Sequence, residues 1–361
     1  MHFSNKGRQN QVQISDRQKT QQMKIYQAFQ RTFNKNNATL LTLVHELLIA
    51  QNIKTQNIEH RTKTVTSFLE KIDRDGKSYK DPIKEITDLS GLRIILFYLD
   101  DIDKVENLIK SEFKVDPKLS INKKNILDFD QFGYLSVHQI ISLKMPRSAL
   151  TEWKKFDGLV AEIQTRTVLQ HAWASISHTL QYKNEKDIPK ELRRQLHRLA
   201  GLFELSDEEF LKIKEKKEKL VLSITSSINT SKLNILLNFD SVKKYLETSE
   251  LINIISKSAY KNGFIKTQDN DNSQLSILIK ICNKLNIEDL DKLNSILLDI
   301  EKKSSKLFNQ FKKTGRTSAS PGHLVCFLIL NAYKDEISLD EAKKLVFWDP
   351  NYVERIYEVN V

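Results

Sequence analysis

The sequence has few cysteines and no long apolar run, whereas many cysteines and long apolar runs mark secreted and membrane proteins, respectively. Its 361 residues include 2 cysteines, too few for a disulfide framework or a four-ligand zinc cluster. No run approaches the roughly 18 apolar residues that a transmembrane helix needs, and the opening MHFSNKGRQNQVQISDRQKT has no apolar core of a signal peptide. We therefore expect a cytoplasmic protein with no membrane partner.

The composition indicates a globular chain in which helix is more abundant than strand. It is 40% hydrophobic and 29% charged, which excludes wholesale disorder and leaves enough length for two domains. Only 9 glycines are present, well below the average of about 7%. The net charge of +11 favours binding of polyanions such as nucleotides, RNA or an anionic membrane surface. Surface lysines without any binding role would give the same net charge.

The pattern of apolar and charged residues along the chain predicts three segments. Residues 1–60 form a basic arm and a helix, with an apolar stripe between Leu40 and Ile49. Residues 61–215 alternate between helical and strand patterns, with helices at 63–74, 101–112 and from 167, and strands at 92–98, 113–115, 135–144 and 159–165. Residues 216–361 repeat apolar residues at helical spacing, which predicts an all-α C-terminal domain. The fold class is therefore α+β, a mixed sheet flanked by helices and followed by that domain.

A row of basic residues opens the α/β segment. In RTKTVTSFLEK, the residues Lys63, Ser67 and Lys71 follow Arg61 at a spacing that places these three on one helical face. Such a row can bind a triphosphate through charge-assisted hydrogen bonds. An ordinary solvated helix face would have the same pattern.

Two carboxylates stand where a purely structural sheet would not need them. Asp88 precedes the apolar strand that contains Arg93, and an ion pair between these two residues is the simplest structural explanation. Glu162, Gln164 and Arg166 alternate with apolar residues in LVAEIQTR, so they share one face of a strand. Carboxylates from two strands commonly hold Mg²⁺ on a nucleotide, because phosphate oxygens complete its octahedron.

An aromatic residue accompanies polar groups in FGYLSVH. Strand alternation places Tyr134, Ser136 and His138 on one face, after a long polar loop that ends near Gly133. An exposed aromatic ring beside polar groups can stack on a nucleotide base. A tyrosine that covers the core is the alternative.

Four motifs occur in this order: R-x-K-x-x-x-S-x-x-x-K, D-L-x-G-x-R, F-G-Y-x-S-V-H and E-I-Q-x-R-T, and Gln170-His-Ala-Trp173 follows them. Together they resemble the synthetase domain of the RelA/SpoT family of alarmone synthetases. The resemblance runs from about Arg61 to Phe210. It implies a nucleotidyltransferase-like sheet and an ATP-dependent pyrophosphokinase that transfers the β,γ-pyrophosphate of ATP to the ribose 3′-hydroxyl of GDP or GTP, making guanosine tetra- or pentaphosphate.

The resemblance also implies a role for each matching residue. The ATP-binding set would be Arg61, Lys63, Ser67, Lys71 and Arg93. Asp88 and Glu162 would hold Mg²⁺ and form the catalytic pair, with Glu162 assisting deprotonation of the attacking hydroxyl. The acceptor-binding set would be Tyr134, Ser136, His138, Gln164 and Arg166.

Two departures from the family pattern bear on the substrate and the reaction. Alarmone-making members commonly have a basic, proline-containing stretch before the Gly-Tyr, whereas this chain has ILDFDQ, with Lys123 and Lys124 upstream. No adjacent His-Asp pair precedes Arg61, so hydrolysis of the product is not expected.

Several alternatives stay open. The acceptor could instead be the 3′-terminal adenosine of tRNA, which would make the protein a toxin that blocks translation. The protein could also be a non-catalytic nucleotide- or RNA-binding regulator. Besides ATP and GDP or GTP, the candidate partners are tRNA, an antitoxin or other protein at the C-terminal domain, and a second copy of the chain.

Overall fold

The computed structural model describes residues 16–74, 79–122, 136–180, 189–267, 272–312 and 318–359. Contacts divide the chain into two compact units, residues 1–213 and residues 214–361, called here the N-terminal and C-terminal units. Each has its own apolar core. The long helix Lys190–Asn229 contributes residues to both units.

The N-terminal unit combines one sheet with helices. Its strands are β1 (Thr55–Thr62), β2 (Ser90–Leu96), β3 (Phe113–Val115), β4 (Ile121–Asn122), β5 (Val137–Leu143) and β6 (Ala161–Thr167). Its helices are α1 (Asp16–Ala50), α2 (Val65–Ile72), α3 (Pro82–Glu85), α4 (Asp100–Glu112), α5 (Thr151–Lys154), α6 (Val168–Leu180) and the first part of α7 (Lys190–Asn229).

The sheet is mixed, as predicted, with the order β1-β2-β6-β5-β3 and with β4 paired to β5. Strands β2 and β6 are parallel, and the other pairs are antiparallel. Apolar residues that alternate along β2, namely Leu92, Ile94 and Leu96, join the main core of this unit together with α1 and α4. Since successive strand residues point to opposite sides, the residues between them are left for the other face.

Most predicted elements of this unit are confirmed, but strands β1 and β4 were missed, and β4 falls in the long polar loop predicted before Gly133. Strands β2, β3, β5 and β6 and helices α4 and α6 lie within a few residues of their predicted bounds. Strand β1 was not predicted, because TQNIEHRT has no clear apolar alternation. Its strand conformation comes from antiparallel pairing with the buried strand β2.

The C-terminal unit is helical, as predicted. After the second part of α7, its helices are α8 (Phe239–Thr248), α9 (Glu250–Lys261), α10 (Ser273–Lys284), α11 (Leu290–Lys312), α12 (Pro321–Ala332), α13 (Leu339–Val346) and α14 (Pro350–Glu358). The two-residue strands β7 (Ile265–Lys266) and β8 (Ser318–Ala319) form one short parallel pair. In the described ranges, no helix has the length and apolar character needed to cross a membrane.

Candidate active site

Polar residues lie in two neighbouring rows across the sheet. Arg61, Gly91 and Glu162 occupy facing positions on β1, β2 and β6. The next row consists of Glu59 on β1, Arg93 on β2, Gln164 on β6 and His138 on β5. Because strand residues two apart share a face, the sheet brings residues from four distant parts of the sequence onto one surface.

A cavity of about 350 Å³ lies over this surface, within the range of small-molecule sites. The residues that line it are Glu59, His60, Arg61, Lys63, Asp88, Gly91, Leu92, Arg93, Glu162 and Gln164. Six of the predicted site residues therefore meet in one cavity, namely Arg61, Lys63, Asp88, Arg93, Glu162 and Gln164.

Asp88 is held by two lysines. Its Oδ2 accepts a hydrogen bond from Lys63 Nζ at 2.8 Å, and its Oδ1 accepts one from Lys71 Nζ at 2.8 Å. Burial opposes ionisation of Asp88, but the hydrogen bonds and charges of the two lysines outweigh it and hold the pKa of the carboxyl below its usual value. Asp88 is therefore an anion within a basic cluster.

The simple ion pair between Asp88 and Arg93 that the sequence suggested is not formed. Arg93 Nη1 donates instead to Glu59 Oε2 at 3.0 Å. The reason is the strand register: Glu59 and Arg93 face each other on β1 and β2, whereas Asp88 precedes the strand and meets lysines from the segment between β1 and α2 and from α2 itself.

The basic row is not a single helical face. Arg61 belongs to β1, and Lys63 precedes α2, whose N-cap is Thr64. Ser67 and Lys71 do lie on α2, but Ser67 Oγ accepts a hydrogen bond from Thr64 Oγ1 at 2.9 Å and does not line the cavity. Thr64 ends the extended segment and begins the helix, so Lys63 contacts Asp88 from the extended segment and Lys71 contacts it from the helix.

Glu162 is the centre of a hydrogen-bonded chain. Its Oε1 lies 2.7 Å from His138 Nδ1, and its Oε2 accepts a bond from Gln164 Nε2 at 3.0 Å. Ser136 Oγ lies 2.7 Å from His138 Nε2. Burial and the charge of Asp88 raise the pKa of Glu162. The hydrogen bonds with His138 and Gln164 and the electrostatic effect of His138 lower it, and together they outweigh burial, so the pKa lies below its usual value.

Two comparisons with curated proteins cover this region. GTP pyrophosphokinase YwaC of Bacillus subtilis (strain 168) is 33% identical over 169 residues, which are 44% of this chain and 75% of YwaC. GTP pyrophosphokinase YjbM of the same organism is 30% identical over 157 residues, which are 43% of this chain and 69% of YjbM. The region found in RelA/SpoT proteins matches residues 60–187.

The chain belongs to the RelA/SpoT family. Among solved structures, the small alarmone synthetase 1 from Bacillus subtilis is similar, with 24% identity and a TM-score of 0.46, over 54% of this chain and 98% of that chain.

The RelA/SpoT region has a glycine where its central strands approach closely. A Cβ atom built on Gly91 would lie 3.2 Å from the carbonyl oxygen of Glu162 and 3.9 Å from that of Arg61. The first distance is tighter than an ordinary contact, so a side chain there would push β6 away. The glycine of D-L-x-G-x-R therefore keeps Glu162 close to β2.

Helix α1 supports the RelA/SpoT motifs from behind, a role that the sequence did not indicate. Tyr26 Oη donates to the carbonyl oxygen of Lys63 at 2.6 Å, and Asn37 Nδ2 donates to that of Arg61 at 3.0 Å. Both side chains are fully buried, and burial, with a smaller contribution from Asp88, raises the pKa of Tyr26 to about 12. These bonds fix the backbone of the basic segment.

Five other predicted residues of the RelA/SpoT motifs are described but do not line the cavity, namely Ser67, Lys71, Ser136, His138 and Arg166. Arg166 is on β6 but only 4% exposed, and it does not line the cavity. Tyr134 lies outside the described residues. Conversely, Glu59 and His60 line the cavity although no motif identified them; recognising β1 as a strand would have found Glu59, because it is two residues from Arg61.

The donor set fits a divalent cation shared with a nucleotide. Among the described residues, no group of three or more His, Cys, Asp or Glu side chains could hold a metal ion alone. Asp88 and Glu162 nevertheless line one cavity and interact electrostatically. Two carboxylates plus phosphate oxygens are a suitable ligand set for Mg²⁺.

Proposed function

We propose that the chain is an ATP-dependent pyrophosphokinase that transfers the β,γ-pyrophosphate of ATP to the ribose 3′-hydroxyl of GDP or GTP. One observation carries the proposal: Asp88 and Glu162 share a cavity with Arg61, Lys63 and Arg93. Transfer of a phosphoryl group needs neutralised charge and alignment more than covalent help. The printed names of YwaC and YjbM, both GTP pyrophosphokinases, support it.

The basic residues bind ATP in this proposal. Arg61, Lys63 and Arg93 line the cavity, and Lys71 reaches the same carboxylate as Lys63. Asp88 and Glu162 would hold Mg²⁺, which neutralises the polyphosphate when bound. With Asp88 as a ligand of the cation, Lys63 and Lys71 would be available to donate hydrogen bonds to phosphate oxygens.

Glu162 serves as the base. Its carboxylate takes the proton of the ribose 3′-hydroxyl while the hydroxyl oxygen forms a bond to the β-phosphorus of ATP. The bond between the α,β-bridging oxygen and the β-phosphorus breaks, and AMP leaves. His138 and Gln164 hold one carboxylate oxygen each, so the base is oriented before the acceptor arrives.

In this proposal the acceptor is bound by the residues that the family resemblance implies, namely Tyr134, Ser136, His138, Gln164 and Arg166. Tyr134 stacks on the acceptor base, so Tyr134→Ala should raise the acceptor KM by roughly 5- to 150-fold. The KM for ATP should not change, and it is the internal control. An equal rise in both constants would contradict this role.

Labelled ATP, Mg²⁺ and each acceptor in turn test the function. We expect labelled guanosine tetra- or pentaphosphate from GDP or GTP and no product from the Asp88→Asn variant. Labelling of tRNA in preference to GDP and GTP would instead support the toxin alternative. ATP binding without transfer to any acceptor would support a non-catalytic regulator.

The C-terminal part, residues 216–361, is proposed as a regulatory domain. The residues that line the cavity all belong to the N-terminal unit, so the helices of the other unit are not needed for the chemistry. Their role would be to change activity or to bind a protein partner or tRNA. Truncation of the chain within α7 tests this proposal.

A further inference from the structure

Glu59, the partner of Arg93, lines the cavity but has no part in the proposed reaction. The two residues face each other across β1 and β2, both line the cavity, and Glu59 Oε2 accepts a hydrogen bond from Arg93 Nη1 at 3.0 Å. Their side chains are 40% and 29% exposed, respectively. The pair is therefore partly solvated and lies within reach of a ligand.

Simple attraction of a polyanion does not explain Glu59. A carboxylate in the cavity repels phosphate groups, and it also cancels much of the charge of the guanidinium beside it. A site selected only for positive charge would have a neutral residue here. The benefit of Glu59 is therefore geometric rather than one of net charge.

Ligand binding by Arg93 is favoured when its side chain is already held in place. An arginine side chain has several rotatable bonds, and a partner that fixes its planar guanidinium reduces the entropy lost on ligand binding. The bond to Glu59 involves Nη1, while the buried Nε of Arg93 has no hydrogen-bond partner among the described residues. One edge of the guanidinium is thus anchored, and donors remain for a ligand.

A second cationic group makes the anchoring more important. His171 on α6 responds electrostatically to Arg166, Arg93 and Glu59, after the larger effect of burial. Because Arg166 is two residues beyond Gln164, which faces Arg93, the strand register places both arginines on one side of the sheet, and the carboxylate of Glu59 offsets the positive charge beside Arg93.

We propose that Glu59 is a positioning residue that holds the Arg93 guanidinium against the cavity wall in its ATP-binding orientation. The inference rests on the proposed function, because ATP is the ligand for which Arg93 is oriented. Glu59 itself touches neither substrate. Its effect passes through Arg93 alone, and this dependence is what an experiment can measure.

A double-mutant cycle on binding of a non-hydrolysable ATP analogue with Mg²⁺ tests the proposal. We expect Glu59→Gln to weaken binding by about three- to tenfold. In the Arg93→Ala background, the same substitution should not weaken binding, because only the repulsion between the Glu59 carboxylate and phosphate then remains. Tighter binding by Glu59→Gln alone would show that the carboxylate only repels phosphate, and additive losses would show that it acts independently of Arg93; either result overturns the proposal.

A matched control separates positioning from a change in net charge. Glu152 is exposed on α5 and outside the cavity, so Glu152→Gln makes the same charge change and should leave analogue binding unchanged. Equal weakening by both variants would overturn the proposal. The conservative Glu59→Asp variant should recover part of the affinity, which a neutral replacement cannot do.

The outcomes distinguish this inference from the proposed reaction. If the wild-type protein binds the analogue but transfers no pyrophosphate, the proposed function fails while the coupling between Glu59 and Arg93 is still measured. If transfer occurs and Glu59→Gln binds the analogue normally, only the positioning role fails. A wild-type protein that does not bind the analogue contradicts both.

Discussion

Lys63 Nζ donates a 2.8 Å hydrogen bond to Asp88 Oδ2, and the lysine side chain is only 11% exposed. Taking an ammonium group out of water is costly unless a carboxylate compensates for it. Asp88 therefore stabilises the folded segment that carries Lys63, in addition to any part in catalysis. The structural role that the sequence suggested for Asp88 is therefore present, but its partners are Lys63 and Lys71 rather than Arg93.

Asp88→Asn should abolish transfer and also reduce stability. The substitution removes the charge that two lysines share and leaves Lys63 largely buried without compensation, so we expect the free energy of unfolding to fall by about 1–3 kcal/mol. Urea denaturation monitored by circular dichroism measures this loss. The exposed Asp157→Asn variant is the charge-matched control and should differ from wild type by less than about 0.5 kcal/mol.

The stability that Asp88 contributes should depend on pH in a defined direction. Its folded-state pKa is lowered from 3.8, so the unfolded state binds the proton more readily. The contribution is complete above about pH 5 and is lost as the pH falls through the folded-state pKa. Urea denaturation in EDTA from pH 7 to pH 3 should show the gap between wild type and Asp88→Asn narrowing at acid pH, and a widening gap would contradict the ion-pair assignment.

Loss of the His138 side chain should affect the chemical step more than ATP binding. His138→Ala removes the partner of Glu162 Oε1, so the base loses its fixed orientation, and we expect kcat to fall by about 10- to 100-fold. Affinity for the ATP analogue should stay within about twofold. Steady-state kinetics and analogue titration measure the two effects, with the exposed His45→Ala on α1 as control. A variant that lost analogue affinity but kept kcat would remove His138 from the Glu162 network.

Truncation after Lys217 tests the role of the C-terminal unit. The cut falls within α7 but beyond Asp207, whose carboxylate accepts a hydrogen bond from Thr167 Oγ1 at 2.6 Å. Because this contact is kept, we expect the fragment to retain ATP binding and to differ from the full chain in transfer rate or toxicity. A soluble fragment with unchanged rate, acceptor preference and toxicity would contradict the regulatory proposal, and insoluble fragment would indicate that the removed helices are structural.

The sequence alone predicted the sheet-forming runs and the chemical character of the site. Apolar runs such as the one in β2 are encoded locally, because a strand buried on both sides needs continuous apolar residues. Alternation along β6 placed Glu162 and Gln164 on one face, and both line the cavity. The third residue of that alternation, Arg166, is nearly fully buried, because alternation gives the face of a residue but not its depth.

Tertiary structure decided which charges meet. The sequence suggested Asp88 with Arg93 and a single helical row for Lys63, Ser67 and Lys71. The register between β1 and β2 instead pairs Arg93 with Glu59, and the N-cap at Thr64 separates Lys63 from the helix. Ion pairs depend on distances between segments far apart in the chain, and those distances are set by strand pairing and by helix α1 packing behind the motifs. Local patterns determine the residue types of the site, whereas long-range packing determines their partners.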